Sequence, residues 1–72
     1  MVGTTYSKDY QNLIEKIKHA RKEAGFSQAK LAKKLGKPQS FISKCESGER
    51  KIDPIELKKI AEILAKNINY FI

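Results

Sequence analysis

The side chains with the clearest potential for recognition lie in residues 39–47, QSFISKCES. In a helix of about 3.6 residues per turn, Ile42 and Cys45 would lie on one side of this segment and its polar residues on the other. The polar side has no carboxylate at its centre. Glutamine can bond adenine through two hydrogen bonds, serine can bond several base edges, and lysine prefers guanine or phosphate. The candidate base-reading residues are Gln39, Ser40, Ser43 and Lys44.

Other residues at or near this segment have two interpretations each. Phe41 either touches a thymine methyl group or the sugar backbone, or it shields the end of the preceding helix. Arg50 and Lys51 follow the segment, and each either binds backbone phosphate or is simply solvated. Lys37 precedes the segment and is a further phosphate candidate, with a solvated side chain as the alternative. For Ser43, a solvated helix face is the alternative to base contact.

Turn residues predict a second helix just before this one. Ser27 is a good N-cap for it, and Gly36 lies just past its end, where a left-handed C-cap suits glycine. Pro38 suits the first position of the next helix, which ends at Gly48. Because a short turn with a glycine sets two helices at a steep angle, residues 28–47 predict a helix-turn-helix.

At this point the sequence resembles the Cro/CI-type family, also called XRE-like or lambda repressor-like. The similarity extends from about Leu13 to Leu64 and departs from the family pattern at two positions. Lys37 stands where the family usually has an apolar residue, and Cys45 where a larger apolar residue is usual, which suggests a slightly looser turn or core. The matching residues are Gln28, Leu31, Ala32, Leu35, Gly36, Gln39, Ser40, Ile42, Ser43, Glu46 and Gly48.

The resemblance implies a sequence-specific regulator of transcription, most often a repressor, with residues 39–47 in the major groove. It implies that Gln28 bonds a phosphate and braces Gln39, and that Arg21 forms a structural salt bridge with Glu46. It also implies a homodimer, formed either in solution or only on DNA, that binds a palindromic operator with half-sites ~34 Å apart. Antitoxins share this fold, so a module that binds a protein partner as well as DNA is the alternative.

The rest of the chain completes an all-α fold, a compact bundle of four to five short helices. We expect an N-terminal arm over residues 1–8 and one domain over residues 9–72, with its first helix at about 9–24. Residues 54–65 form a further helix, in which Ile55 faces the core and Asn67 is a left-handed C-cap. The apolar tail INYFI either closes the core or supplies a dimer surface.

Charge is concentrated on the proposed reading motif. The chain has 72 residues and a net charge of +7. Residues 27–51 carry seven lysines and arginines against two glutamates, a net charge of +5, whereas residues 52–72 have a net charge of 0. Basic charge alone barely favours DNA, because many small proteins are basic. Its coincidence with the motif is the pattern of a nucleic-acid binder.

The sequence offers little for other functions. With one histidine and one cysteine, it predicts no His/Cys metal cluster and no internal disulfide. It has no glycine-rich phosphate loop and no paired-carboxylate motif, so we expect neither an enzyme nor a cofactor. No apolar run is long enough for a membrane span, and neither a secretory signal nor a small-molecule effector site is evident. We therefore expect a cytoplasmic, nucleoid-associated protein of prokaryotic or phage origin.

Overall fold

Five helices enclose a single core in residues 7–72, the part of the chain that the computed structural model describes. They are α1 (Lys8–Glu23), α2 (Gln28–Leu35), α3 (Gln39–Ser47), α4 (Pro54–Ile63) and α5 (Ile68–Phe71). No strand occurs in this range, which confirms the predicted all-α bundle. Ser7 caps α1, and Lys8 begins it. Most of the predicted N-terminal arm, residues 1–6, lies outside the described residues.

Side-chain caps fix where three of the long helices begin. The hydroxyl of Ser7 accepts a hydrogen bond from the Tyr10 N–H, and the hydroxyl of Ser27 accepts one from the Lys30 N–H. At α4, Asp53 and Glu56 form a reciprocal capping box with N···O distances of 2.7 and 3.1 Å. Each cap satisfies an amide that has no partner within its helix.

Helix α3 begins differently from the prediction. Pro38 is its N-cap rather than its first helical residue, with an extended ψ of 156° and no side-chain cap. The physical reason is that proline fixes only φ, and a φ near −65° fits both an extended cap and the first helical turn. The N-terminal turn of α3 is therefore left without a side-chain cap among the described residues.

Residues in the left-handed conformation follow α2, α3 and α4, and the one after α4 is not the predicted residue. Gly36 and Gly48 have φ values of 73° and 85° at the ends of α2 and α3, as predicted. After α4 the left-handed residue is Ala65, with φ 58°, and not Asn67. Asn67 instead caps α5, because its side-chain oxygen accepts the Asn69 N–H at 2.9 Å. The short gap between α4 and α5 leaves Asn67 to start a helix instead of ending one.

The core lies where α1, α2, α3 and α4 meet, and α5 closes it beneath α1 and α4 through Phe71, which is 3% exposed. The tail therefore contributes to the core. The prediction that Ile55 faces the core is wrong, since Ile55 is 63% exposed. At 100° per residue, Ile55 lies about 160° around the helix from buried Leu57, so α4 cannot bury both. The most deeply buried large side chains are Leu31, Ile42 and Ile60.

Candidate nucleic-acid interface

Helix α3 presents one polar side to solvent and buries the other. Ile42, Cys45 and Glu46 are buried, with exposures of 1%, 2% and 6%. The four candidate base-reading residues, Gln39, Ser40, Ser43 and Lys44, are all exposed. The structure therefore brings the predicted reading residues together on one accessible helix surface about 13 Å long.

A buried ion pair fixes the inner side of α3. Arg21 Nε lies 2.7 Å from Glu46 Oε2, and Arg21 Nη2 lies 3.1 Å from Glu46 Oε1. The third donor, Arg21 Nη1, bonds the carbonyl of Phe26 at 2.8 Å. Arg21 is 8% exposed and Glu46 is 6% exposed. The predicted pair is thus two-pronged, a geometry that only a planar guanidinium provides, and it ties α1 and the α1–α2 turn to α3.

Gln28 takes part in this pair and not in the bracing of Gln39 that the resemblance implied. Its Nε2 donates to Oε1 of Glu46 at 2.9 Å. Because Glu46 is buried and charged, each additional donor stabilises the carboxylate. Gln28 therefore links the first turn of α2 to the inner side of α3, while Gln39 lies exposed on the outer side.

Phe41 belongs to the protein interior. It is 6% exposed, so its burial does not fit the contact with thymine or sugar and favours the alternative of a shielding role. Arg50 Cζ lies 4.6 Å from the centroid of its ring, and Lys37 Nζ lies 5.3 Å from it. These cation–π contacts hold both cations beside the same ring, so Lys37, which precedes α3, and Arg50, which follows it, lie close together in space.

Two of the predicted phosphate ligands already share a carboxylate. Arg50 Nη2 lies 3.2 Å from Glu56 Oε2, and Lys37 Nζ lies 4.0 Å from the same oxygen. The Glu56 side chain is 12% exposed, whereas those of Lys37 and Arg50 are 42% and 44% exposed. Both cations are exposed enough to bind an external anion. To do so, each must either share its contact with the Glu56 carboxylate or give that contact up. Lys51 is exposed beside them.

Tyr10 positions the loop after α3, a role that the sequence analysis missed. Its hydroxyl donates to the Arg50 carbonyl at 3.2 Å and accepts the Ile52 N–H at 3.0 Å. Burial raises the pKa of this hydroxyl above its ordinary value. The signal in the sequence was a tyrosine at the edge of the apolar stripe of α1, where its hydroxyl needs a partner.

Cys45 is a titratable side chain buried on the inner side of α3. Burial raises the pKa of the Cys45 thiol to about 11, so the thiol is neutral at physiological pH. Within residues 7–72, no group of three or more histidine, cysteine, aspartate and glutamate side chains is placed to hold a metal ion.

No helix in the described part of the chain is both long and apolar enough to cross a membrane.

Comparison with known proteins agrees with this geometry. The model of the helix-turn-helix family HTH_3 matches residues 17–71. The solved structure of an XRE-family like protein from Pseudomonas syringae pv. tomato str. DC3000 is 38% identical, with a TM-score of 0.82 over 88% of this chain and 77% of that one. No curated protein sequence gives a significant match.

A second structure, FeII HppE in complex with substrate, is 26% identical with a TM-score of 0.77. The match covers 85% of this chain but 36% of that one, so the likeness concerns one part of that protein. Both structures share the helical fold described above. The family match over most of the sequence shows that this chain belongs to the XRE-type, or Cro/CI-type, helix-turn-helix family of DNA-binding domains.

Proposed function

We propose that this chain is a sequence-specific transcriptional regulator, acting as a repressor, that places α3 in the major groove of operator DNA. The observation that carries the proposal is the exposed side of α3, where Gln39, Ser40, Ser43 and Lys44 lie on one surface. The opposite side of the same helix is held by the buried Arg21–Glu46 pair. A reading helix fixed in this way meets the bases with little loss of conformational entropy on binding.

The charge around α3 supports a DNA partner. Residues 27–51 have a net charge of +5. Lys51 lies beside α3, and Lys30, Lys33 and Lys34 are exposed on α2. Phosphate contacts of this kind supply affinity for any sequence and set the register of the protein, while the base contacts supply specificity.

One α3 helix is too short to specify an operator alone. Its nine residues reach only a few base pairs, so we propose that two copies bind a palindromic site with half-sites ~34 Å apart. The dimer would occupy promoter DNA in a prokaryotic or phage-infected cytoplasm and block transcription there. The chain would act by occupancy and not by catalysis.

Selection of duplexes from a random pool tests this function. We expect a palindromic consensus that is bound at least ~10³-fold more tightly than random DNA, with log K falling steeply as log[salt] rises. Salt-sensitive binding without an enriched sequence would contradict sequence-specific regulation. Binding of a protein partner as well as DNA would support the antitoxin-type alternative.

A further inference from the structure

The hydroxyl of Tyr10, on α1, contacts the loop after α3 at two points. It donates a hydrogen bond to the Arg50 carbonyl at 3.2 Å and accepts one from the Ile52 N–H at 3.0 Å. The two contacts bridge 40 and 42 positions of the sequence. Because Arg50 and Ile52 flank Lys51, this one side chain fixes the backbone on both sides of the lysine.

A neutral phenol can make both of these contacts at once. Ser7 fixes the first turn of α1, since its hydroxyl accepts a bond from the Tyr10 N–H at 3.1 Å. Burial raises the pKa of the Tyr10 hydroxyl above its ordinary value of 10.0, so the group keeps its proton at physiological pH. A protonated hydroxyl has one hydrogen to donate and lone pairs that accept, and the loop uses both.

Lys51 is the residue of this loop whose position depends most on Tyr10. Arg50 has side-chain partners of its own, because its guanidinium lies 3.2 Å from Glu56 and 4.6 Å from the centroid of the Phe41 ring. The Lys51 carbonyl accepts a bond from Arg50 Nη1 at 3.1 Å. Its side chain is exposed and forms no ion pair in the described part of the chain. The ammonium group of Lys51 can therefore bind an external phosphate, while its backbone is held by the residues on either side.

From this geometry we infer that Tyr10 is a positioning residue of the DNA interface, which holds the Lys51 backbone so that the lysine ammonium group meets a phosphate of the duplex. The inference rests on the proposed function, and it adds a contribution from α1, which lies outside the helix-turn-helix. A lysine on an ordered backbone loses less conformational entropy on binding phosphate than a lysine on a mobile loop does. Tyr10 therefore raises the affinity for every duplex and contributes nothing to sequence preference.

Tyr10→Phe tests the inference, because it removes the hydroxyl and keeps the ring. Fluorescence anisotropy should show an affinity about threefold to tenfold lower for operator and random duplexes alike, since binding must then order roughly one residue of backbone. Duplex selection should return the wild-type consensus. Tyr70→Phe is the matched control and should leave the affinity unchanged, because it removes a hydroxyl from α5 and keeps the contacts of that ring with Lys66 and Phe71.

A double-mutant cycle separates positioning from a general loss of stability. In the Lys51→Ala background, Tyr10→Phe should lower the affinity by less than about twofold, because the cation that it positions is absent. In the Gln39→Ala background, Tyr10→Phe should lower the affinity by the same factor as in the wild type, since Gln39 lies on the exposed side of α3. Equal losses in the two backgrounds would overturn the inference.

Amide hydrogen exchange of the free protein tests the loop without DNA. Tyr10→Phe should speed the exchange of the Ile52 amide by a larger factor than that of the Ile42 amide in α3, because the lost hydrogen bond is local to the loop. An equal factor at both amides would mean that the hydroxyl does not fix the loop, and the inference would be overturned.

Failure of the proposed function gives a different result from failure of the inference. If the wild type bound all duplexes equally, sequence-specific regulation would be contradicted. The cycle with Lys51→Ala would still support or overturn the role of Tyr10, since phosphate contacts do not depend on sequence. If the wild type bound no duplex, both proposals would be overturned.

Discussion

The guanidinium of Arg50 lies 3.2 Å from the carboxylate of Glu56, so a residue predicted to bind phosphate already has an anionic partner inside the protein. The same carboxylate oxygen lies 4.0 Å from Lys37, and its partner oxygen caps α4 by accepting the Asp53 N–H. Glu56 therefore has two roles. It caps α4 through a hydrogen bond, and it is the shared anionic partner of Arg50 and Lys37.

Glu56→Gln separates these two roles. Glutamine can keep the capping hydrogen bond, because a capping box accepts either residue, but it removes the charge opposite Arg50 and Lys37. We expect DNA affinity to rise several-fold and the slope of log K against log[salt] to steepen by up to ~1, because the freed cations contact phosphate. Fluorescence anisotropy at several salt concentrations measures both.

Glu49→Gln is the control for this prediction. It also removes one negative charge next to α3, but Glu49 contacts Ser47 and not a cation in the described structure. A gain equal to that of Glu56→Gln would show that only net charge matters. A loss of affinity in Glu56→Gln would show that Glu56 positions Arg50 for DNA and does not compete with DNA for it.

The buried pair of Arg21 and Glu46 should dominate the response of stability to mutation. Glu46→Gln leaves the Arg21 guanidinium buried without a counter-charge, which we expect to lower the free energy of unfolding by about 3–5 kcal/mol. The double variant Arg21→Met/Glu46→Leu removes both charges, so its free energy of unfolding should fall by less than that of Glu46→Gln. Urea unfolding followed by circular dichroism measures the difference, and a double variant that is less stable than Glu46→Gln would contradict the argument.

Ala65 holds a left-handed backbone conformation, with φ 58°, that costs roughly 1 kcal/mol for a residue with a Cβ. Ala65→Gly should remove that strain and raise the thermal midpoint by several degrees. Ala24→Gly makes the same change at the end of α1, where φ is −76°, and it should bring no gain. Equal effects of the two substitutions would show that the strain at Ala65 is negligible.

Cys45 should make the protein less stable at alkaline pH. Its pKa is raised by burial from 9.0 to about 11, whereas in the unfolded chain the thiol ionises near the ordinary value. The stabilisation is fully present below pH 9 and is lost as the pH rises towards 11, because ionisation then favours the unfolded state. Cys45→Val, which cannot ionise, should flatten the pH dependence of urea midpoints in this range. Tyr10, whose pKa is also raised, should still contribute a smaller part of the pH dependence of the urea midpoint in this variant.

The sequence predicted the features of this fold that depend on adjacent residues. Ser27 begins α2, and Gly36 and Gly48 end α2 and α3, because a helix boundary depends only on a residue and on backbone groups a few residues away. The all-α bundle follows from such signals and from helical periodicity. The exposed side of α3 was also predictable from spacing, because the buried positions lie on one side of the helix and the polar residues therefore lie on the other.

The features that the sequence did not predict depend on how the helices pack against one another. Ile55 fits an apolar pattern, but its exposure depends on the side of α4 that meets the core. Gln28 contacts Glu46 across eighteen residues, and Tyr10 reaches the Arg50 carbonyl across forty. Such contacts arise from the angles between helices, which spacing along one helix does not determine. For the same reason, the sequence predicted a phosphate contact or a solvated side chain for Arg50 and did not predict that Glu56 lies against it.

A matched pair of variants should distinguish the contribution of base reading from that of phosphate binding. Gln39→Ala removes an exposed amide from the reading surface without touching the core, so it should relax preference at one operator position by about 1–3 kcal/mol. Lys51→Ala should weaken binding to every sequence alike and reduce the salt slope by about 1. Repeating the duplex selection with each variant measures the first effect, and salt titrations measure the second. Because both residues are exposed, both variants should unfold like the wild type. If Gln39→Ala behaved as Lys51→Ala does, α3 would contact only the DNA backbone, and the base-reading role would belong to another element.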